Sequence, residues 1–214
     1  MTVELVSVGT EILMGNILNS NTQYLAEKCA MLGFNMYHQV TVGDNYGRMK
    51  EVVATAVSRA DIVILTGGLG PTVDDFTKEV CAEVMGMELV EDPHTRQHIE
   101  EFFHNNIYRE IPANNWKMTT VPRGARVLDN HNGMAPGLIL EKEGRTAILL
   151  PGPPGELYPM FEQQVFPYLE TRENASLVSK TLKICGHGES QVEERILDLI
   201  DSQTNPTIAT NAKT

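Results

Sequence analysis

Apolar positions along the chain switch between a period of two and a period near 3.6, and the switching outlines repeated strand, loop and helix units. Val3-Glu4-Leu5-Val6-Ser7-Val8-Gly9 reads as a first strand, and Thr10-Glu11-Ile12-Leu13-Met14-Gly15 as the loop after it. Ser20 with Gln23 offers a capping box for a helix through Tyr24, Leu25, Cys29 and Leu32, with Gly33 as its stop. Residues 34–42 are strand-like. Asp44 or Asn45 can then cap a helix whose apolar face is Met49, Val52, Val53, Ala56 and Val57. Asp61-Ile62-Val63-Ile64-Leu65 is a short run rich in β-branched residues, as expected of a parallel strand covered on both faces. Phe76, Val80, Cys81 and Val84 recur at helical spacing before Gly86. Strands alternating with helices predict an α/β fold, a mostly parallel sheet whose ligands bind beyond the C-terminal ends of its strands.

The second half is less regular. Residues 88–115 read as a helical excursion that starts at Asp92-Pro93 and has Ile99, Phe102 and Phe103 on its apolar side. A short strand over 125–128 and a hairpin of 138–140 with 147–150 around Glu143-Gly144 follow. The second arm runs into Pro151-Gly152-Pro153-Pro154-Gly155-Glu156 and a helix marked by Leu157, Met160, Phe161, Val165 and Leu169. Beyond this, 179–184 reads as a strand, Ser190 with Glu193 as the capping box of another helix, and 206–210 as a last strand. So few elements make an incomplete α+β piece. The expected organisation is a main domain over 1–174 and the start of a small, apparently truncated linker domain over 175–214.

Composition narrows the class. With 42% hydrophobic and 21% charged residues the chain is expected to be globular, and it lacks both a membrane-length apolar run and a basic signal start, so a cytoplasmic location with no membrane partner is expected. The formal net charge of -11 argues against nonspecific nucleic-acid binding, yet leaves room for a small anion held by local donors and a metal. Cys29, Cys81 and Cys185 lie far apart, each within or beside an apolar pattern, and are expected to be buried free thiols.

The chemistry centres on Thr66-Gly67-Gly68-Leu69-Gly70-Pro71-Thr72-Val73-Asp74-Asp75, which joins a strand to a helix. Such a turn can aim backbone amides and the positive end of a helix dipole at a phosphate. It also fits a plain αL turn with Thr72 and Asp75 as a capping box. Adjacent carboxylates at a phosphate-binding mouth would repel the substrate unless a divalent cation lay between them, and hard cations take one or two carboxylates together with substrate phosphates. Glu11, Asp44 and Asp74 all fall at predicted strand ends, although each alone could be a cap. The Pro151–Glu156 segment repeats the strand, glycine turn and helix context and could close over the other end of a diphosphate; as a structural element it is a rigid proline turn with Glu156 at a helix start. His94 and His98 share a helical face, but Thr95 stands where a zinc-protease helix carries Glu, so both read as solvated histidines.

Taken together, Ser7-Val8-Gly9-Thr10-Glu11, Asn19 to Asn21, the whole 66–75 motif, Asn115 with Lys117, Asn132-Gly133-Met134-Ala135-Pro136-Gly137, Leu150 to Glu156, Gly186-His187-Gly188-Glu189-Ser190 and Asn205-Pro206-Thr207 resemble the CinA family of competence/damage-inducible proteins. Met118-Thr119 stands where that family usually has Gln-Ala. The resemblance implies a three-layer fold with helices on both faces, like that of molybdopterin-binding domains. It also implies a divalent-metal-dependent ADP-ribose pyrophosphatase activity; a further deamidase domain carried by many members is not assigned to this chain.

On this reading Gly67, Gly68, Leu69, Gly70, Thr72, Asn21, Gly133, Pro151, Gly152, Pro153 and Glu156 bind the substrate. Asp74 and Glu11 are the catalytic carboxylates, and Asp74 with Asp44 holds Mg²⁺ or Co²⁺. The expected partner is a small nucleotide, in a homo-oligomer. The alternatives are molybdopterin binding or adenylyl transfer on the same turns, and a non-catalytic nucleotide-binding module.

Overall fold

The computed structural model describes residues 1–105, 110–172 and 180–211, and the chain divides into two units, Met1–Leu177 and Val178–Thr214. The first is built on a sheet of β1 (Thr2–Val8), β2 (Asn35–Val42), β3 (Ile62–Thr66), β6 (Arg126–Leu128), β7 (Gly137–Lys142) and β8 (Arg145–Leu150), in the order β2-β1-β3-β8-β7-β6. β2, β1, β3 and β8 run parallel, while β7 is antiparallel to both of its neighbours. The Glu143-Gly144 turn that reverses β7 into β8 has positive φ at both residues (51° and 77°), as a two-residue hairpin turn matched to strand twist requires.

Side-chain alternation along the strands makes two separate apolar layers. Val63 and Leu65 of β3 face one way and pack with Met49, Val53 and Ala56 of α3 (Tyr46–Arg59) and Val80 and Cys81 of α4 (Thr77–Val84). Ile62 and Ile64 face the other way, toward Leu25 and Cys29 of α2 (Ser20–Met31) and Leu157, Phe161 and Leu169 of the helical run from Pro154 to Glu170. The sheet is thus covered by helices on both faces, and β3 is accordingly buried at every position, with apolar residues running without a break from Ile62 to Leu65.

The excursion carries a helix over Pro93–Asn105, started by Asp92, whose carboxylate accepts from both the amide and the hydroxyl of Thr95 at 2.7 Å. Its Ile99 and Phe103 bury a third cluster with Met118 of the 3-10 helix Ala113–Thr119. The neighbouring strands β4 (Leu89–Glu91) and β5 (Thr120–Pro122) pair antiparallel as a separate ribbon, which the apolar pattern did not anticipate because three-residue strands carry no readable period.

Several local expectations are corrected. The first long helix is capped by Asn19, whose side chain accepts from the Thr22 amide at 3.2 Å, and not by Ser20. In the second unit the described residues form helices Glu189–Arg195 and Leu197–Ser202 and no strand. The expected strands at 180–184 and 206–210 are absent there, since a strand forms only against a partner strand and the described part of this unit supplies none; residue 179 lies outside the described residues. Gly188 begins the first of these helices, its amide donating to Gln191 Oε1 at 3.2 Å, so Ser190 and Glu193 do not make a capping box. Cys29 and Cys81 are buried, and burial pushes the Cys29 thiol up to about 12, but Cys185 is exposed. No described helix is long and apolar enough to cross a membrane.

Candidate functional site

Because β1, β2, β3 and β8 run parallel, the loops that leave their C-terminal ends share one edge of the sheet. β3 and β8 are neighbours, so the two glycine turns lie side by side: the Gly67 amide donates to Leu150 O at 3.0 Å, and a Cβ built on Gly152 would stand 3.6 Å from Gly67 Cα. Asn21, in the first turn of α2, adds the third side; its Nδ2 donates to Gly152 O at 2.7 Å. A carbonyl can only accept, so this bond fixes the amide's orientation and leaves the buried Oδ1 without a hydrogen-bond partner among the described residues.

Gly67 and Gly68 have φ of 93° and 69°, in the left-handed region. Side chains there would also collide: a Cβ on Gly67 would stand 2.5 Å from Val8 O, and one on Gly68 2.2 Å from Thr77 Oγ1. Thr77 closes the turn, its Oγ1 donating to Gly67 O at 2.8 Å and its amide to Gly68 O at 3.0 Å.

Thr72 and Asp75 are joined as expected, but inside the turn. Asp75 Oδ2 accepts from the Thr72 amide at 2.9 Å and its hydroxyl at 2.5 Å, whereas Phe76 is the residue before α4 and makes no side-chain cap. Gly70 makes room for this, since a Cβ there would lie 2.6 Å from Asp75 Oδ2. The Thr72 hydroxyl also bonds Asp74, and with Asp74's own amide and a smaller pull from Lys117 it holds that carboxyl below the usual carboxylate range.

The other predicted carboxylates lie at the same edge, and Asp44 is already engaged there. Asp44 Oδ2 accepts from the Thr10 amide at 2.8 Å, and its own amide donates to Thr10 Oγ1 at 3.1 Å, which ties the loop after β2 to the short helix Thr10–Leu13. Glu11 is exposed and folds over Gly9, where a Cβ would stand 2.4 Å from its Oε1. Among the described residues no three His, Cys, Asp or Glu side chains form a metal-holding group. Glu156 is bonded by Asn130 Nδ2 at 2.6 Å and presses on Gly133, where a Cβ would lie 2.2 Å from Glu156 Oε2. Gly133 O in turn meets His98 Nε2 at 3.1 Å, so that ring nitrogen carries the proton, and His94 pairs with Asp129 at 2.6 Å.

No signal in the sequence singles out Lys78 or gives Lys117 a role. Lys78 is buried; its Nζ donates to Lys117 O at 2.5 Å, and desolvation lowers the ammonium to about 8. Lys117 Nζ donates to Thr72 O at 3.0 Å and to Asp75 O. A lysine on an amphipathic helix reads as solvated, and no local spacing distinguishes a buried one.

Residues 4–171 match the family model described as a probable molybdopterin binding domain, and residues 179–214 match the damage-inducible protein CinA KH domain. The chain belongs to the CinA family. A protein of Caldicellulosiruptor bescii named as competence-damage inducible is 53% identical over 213 residues, and a CinA-like protein of Dictyoglomus turgidum is 50% identical. Both matches take in 100% of this chain but 52% of the relative, so the chain spans about half the length of these curated relatives.

Among solved structures, a CinA protein of unknown function from Thermoplasma acidophilum superposes with a TM-score of 0.70 at 29% identity, covering 76% of this chain and 95% of its own. A molybdenum cofactor biosynthesis protein from Corynebacterium diphtheriae shares the fold at a TM-score of 0.53 and 16% identity, covering 82% and 99%. The mostly parallel sheet with helices on both faces is therefore the fold of the molybdenum cofactor proteins, carried here by a CinA-family chain.

Proposed function

We propose that the first unit hydrolyses the diphosphate bond of ADP-ribose or a related nucleoside diphosphate compound with the help of a divalent metal. The observation that carries the reading is the contact of two glycine turns at one sheet edge, flanked by Asp74 and Asp44 on loops and by Glu11 on the short helix that stands where a loop was expected. Amides from Gly68 to Gly70 bind one phosphate, the Gly67 amide being taken by Leu150 O, and the Pro151-Gly152-Pro153 turn backs the other, oriented by Asn21.

Asp74 Oδ1 and Asp44 Oδ2 each accept a hydrogen bond, and a hard cation that takes one or two carboxylates and completes its shell with substrate phosphates would be met by their second oxygens. When bound, such an ion would offset the charge developing on the phosphates and lower the pKa of water. Asp74 and Asp44 would hold it. Glu11, exposed beside Gly9, would orient water.

The test is direct. Purified protein with ADP-ribose and Mg²⁺ or Co²⁺ should release AMP and ribose phosphate, and Asp74→Ala should abolish the release. An Asp74→Ala variant with parental activity removes the metal assignment.

A second reading, molybdopterin binding or adenylyl transfer, is favoured by the family description of residues 4–171. Calorimetry with molybdopterin against ADP-ribose separates the two, since tighter pterin binding reverses the ranking. A nucleotide-binding module without chemistry is the outcome if binding saturates and no metal supports turnover.

A further inference from the structure

The 72–75 turn carries its carboxylates at the site mouth, yet its own carbonyls have to be kept away from a phosphate as well. The Lys117 ammonium does this: it collects Thr72 O at 3.0 Å and Asp75 O from the side of the 3-10 helix. Carbonyls drawn toward a cation on one side leave the turn's remaining polar groups to face the other. Lys117 is itself held at its backbone. Its carbonyl accepts from Lys78 Nζ at 2.5 Å, from Thr120 Oγ1 at 3.0 Å and from the Thr120 amide.

Lys78 belongs to the helix that the turn leads into, so the two lysines form a closed strap from that helix to the 3-10 helix and back to the turn. Keeping an ammonium at 4% exposure is costly, and the bond it makes is directed at the main chain of the residue that grips the turn.

We propose that Lys117, braced by Lys78, is the positioning residue of the phosphate turn: it fixes the Thr72–Asp75 segment so that the glycine amides and Asp74 face the substrate. This rests on the reading of the turn as the diphosphate site. Lys117 touches no substrate in this scheme and acts through the turn alone. A Met side chain keeps the stem and removes the donors, so Lys117→Met isolates the strap.

In Lys117→Met, kcat/KM for ADP-ribose should fall at least about tenfold while the melting temperature moves by no more than about 4 °C. Methylammonium added to Lys117→Ala should restore part of the lost activity, a rescue that a purely structural lysine would not show. Calorimetry with AMP should show at least about fivefold weaker binding in Lys117→Met.

Activity and AMP binding within twofold of the parent, or no rescue by methylammonium, overturns the proposal. Should the parent bind AMP but not turn over ADP-ribose, the hydrolase reading fails by itself and AMP affinity decides the role of Lys117. Should the parent bind neither AMP nor ADP-ribose, both fall.

Discussion

The turns at 66–75 and 151–156 leave adjacent parallel strands and touch each other, yet they are held by different means. The first is built from inside. Gly67 and Gly68 take left-handed backbone conformations, Thr77 bonds both of their carbonyls, and Asp75 and Lys117 grip the far end. The second is stiffened by Pro151, Pro153 and Pro154 and held from outside by Asn21 on Gly152 O and Asn132 on Gly155 O. Gly152 has no left-handed φ, and a Cβ there would stand 3.6 Å from Gly67 Cα, an ordinary van der Waals distance. A turn that has to present its amides needs glycine for backbone freedom, whereas a turn that backs it needs glycine only for closeness.

The contrast can be broken most sharply at the glycines of the first turn. Gly67→Ala combines a left-handed φ with a Cβ 2.5 Å from Val8 O, a backbone atom that cannot step aside. It should cost about 3 kcal/mol or more in chemical denaturation and remove phosphate binding.

Next comes the buried support of the same turn. Lys78 titrates near 8 in the folded chain against 10.5 as its ordinary value, so between those pH values the unfolded state binds the extra proton and stability rises with pH. Below that window both states are protonated and the contribution is constant. Urea unfolding of the parent should therefore gain up to about 3 kcal/mol from pH 8 to 10.5 relative to Lys78→Met. Parallel pH profiles for the two proteins would show that Lys78 is not desolvated.

The second turn should yield smaller effects. Asn21→Ala strips Gly152 O of its donor and should cost about 1–2 kcal/mol, with a weaker effect on turnover than any change at Asp74. Gly152→Ala should be the mildest, within about 1 kcal/mol of the parent by thermal unfolding, because its Cβ finds room 3.6 Å from Gly67 Cα. If Gly152→Ala proves as damaging as Gly67→Ala, the two turns are not built differently.

The strands β1, β2, β3 and β8, the helices between them and the Glu143-Gly144 hairpin were legible because each carries a local period or turn signal that packing then reinforces. Asn19 as the cap, the β4–β5 ribbon and the exposure of Cys185 were not, since each depends on which of several equivalent donors or faces finds a partner. At the site, Gly67 to Gly70, Thr72 and Asp75 were placed in one turn by sequence alone, although Asp75 closes that turn instead of capping the helix.

From the chain itself came the alternation of strands and helices, the parallel sheet with both faces covered, the two glycine turns at strand ends and the CinA resemblance. These are local, because φ preferences, apolar periods and capping groups act within a few residues of one another. Tertiary structure alone decided that β8 lies beside β3, that Asn21 reaches Gly152, that Asp44 is bonded to Thr10 and that Lys78 is buried behind Lys117. Those contacts join residues tens of positions apart, and only the closing of the sheet and the desolvation that accompanies it select them from the many pairings the same side chains could make.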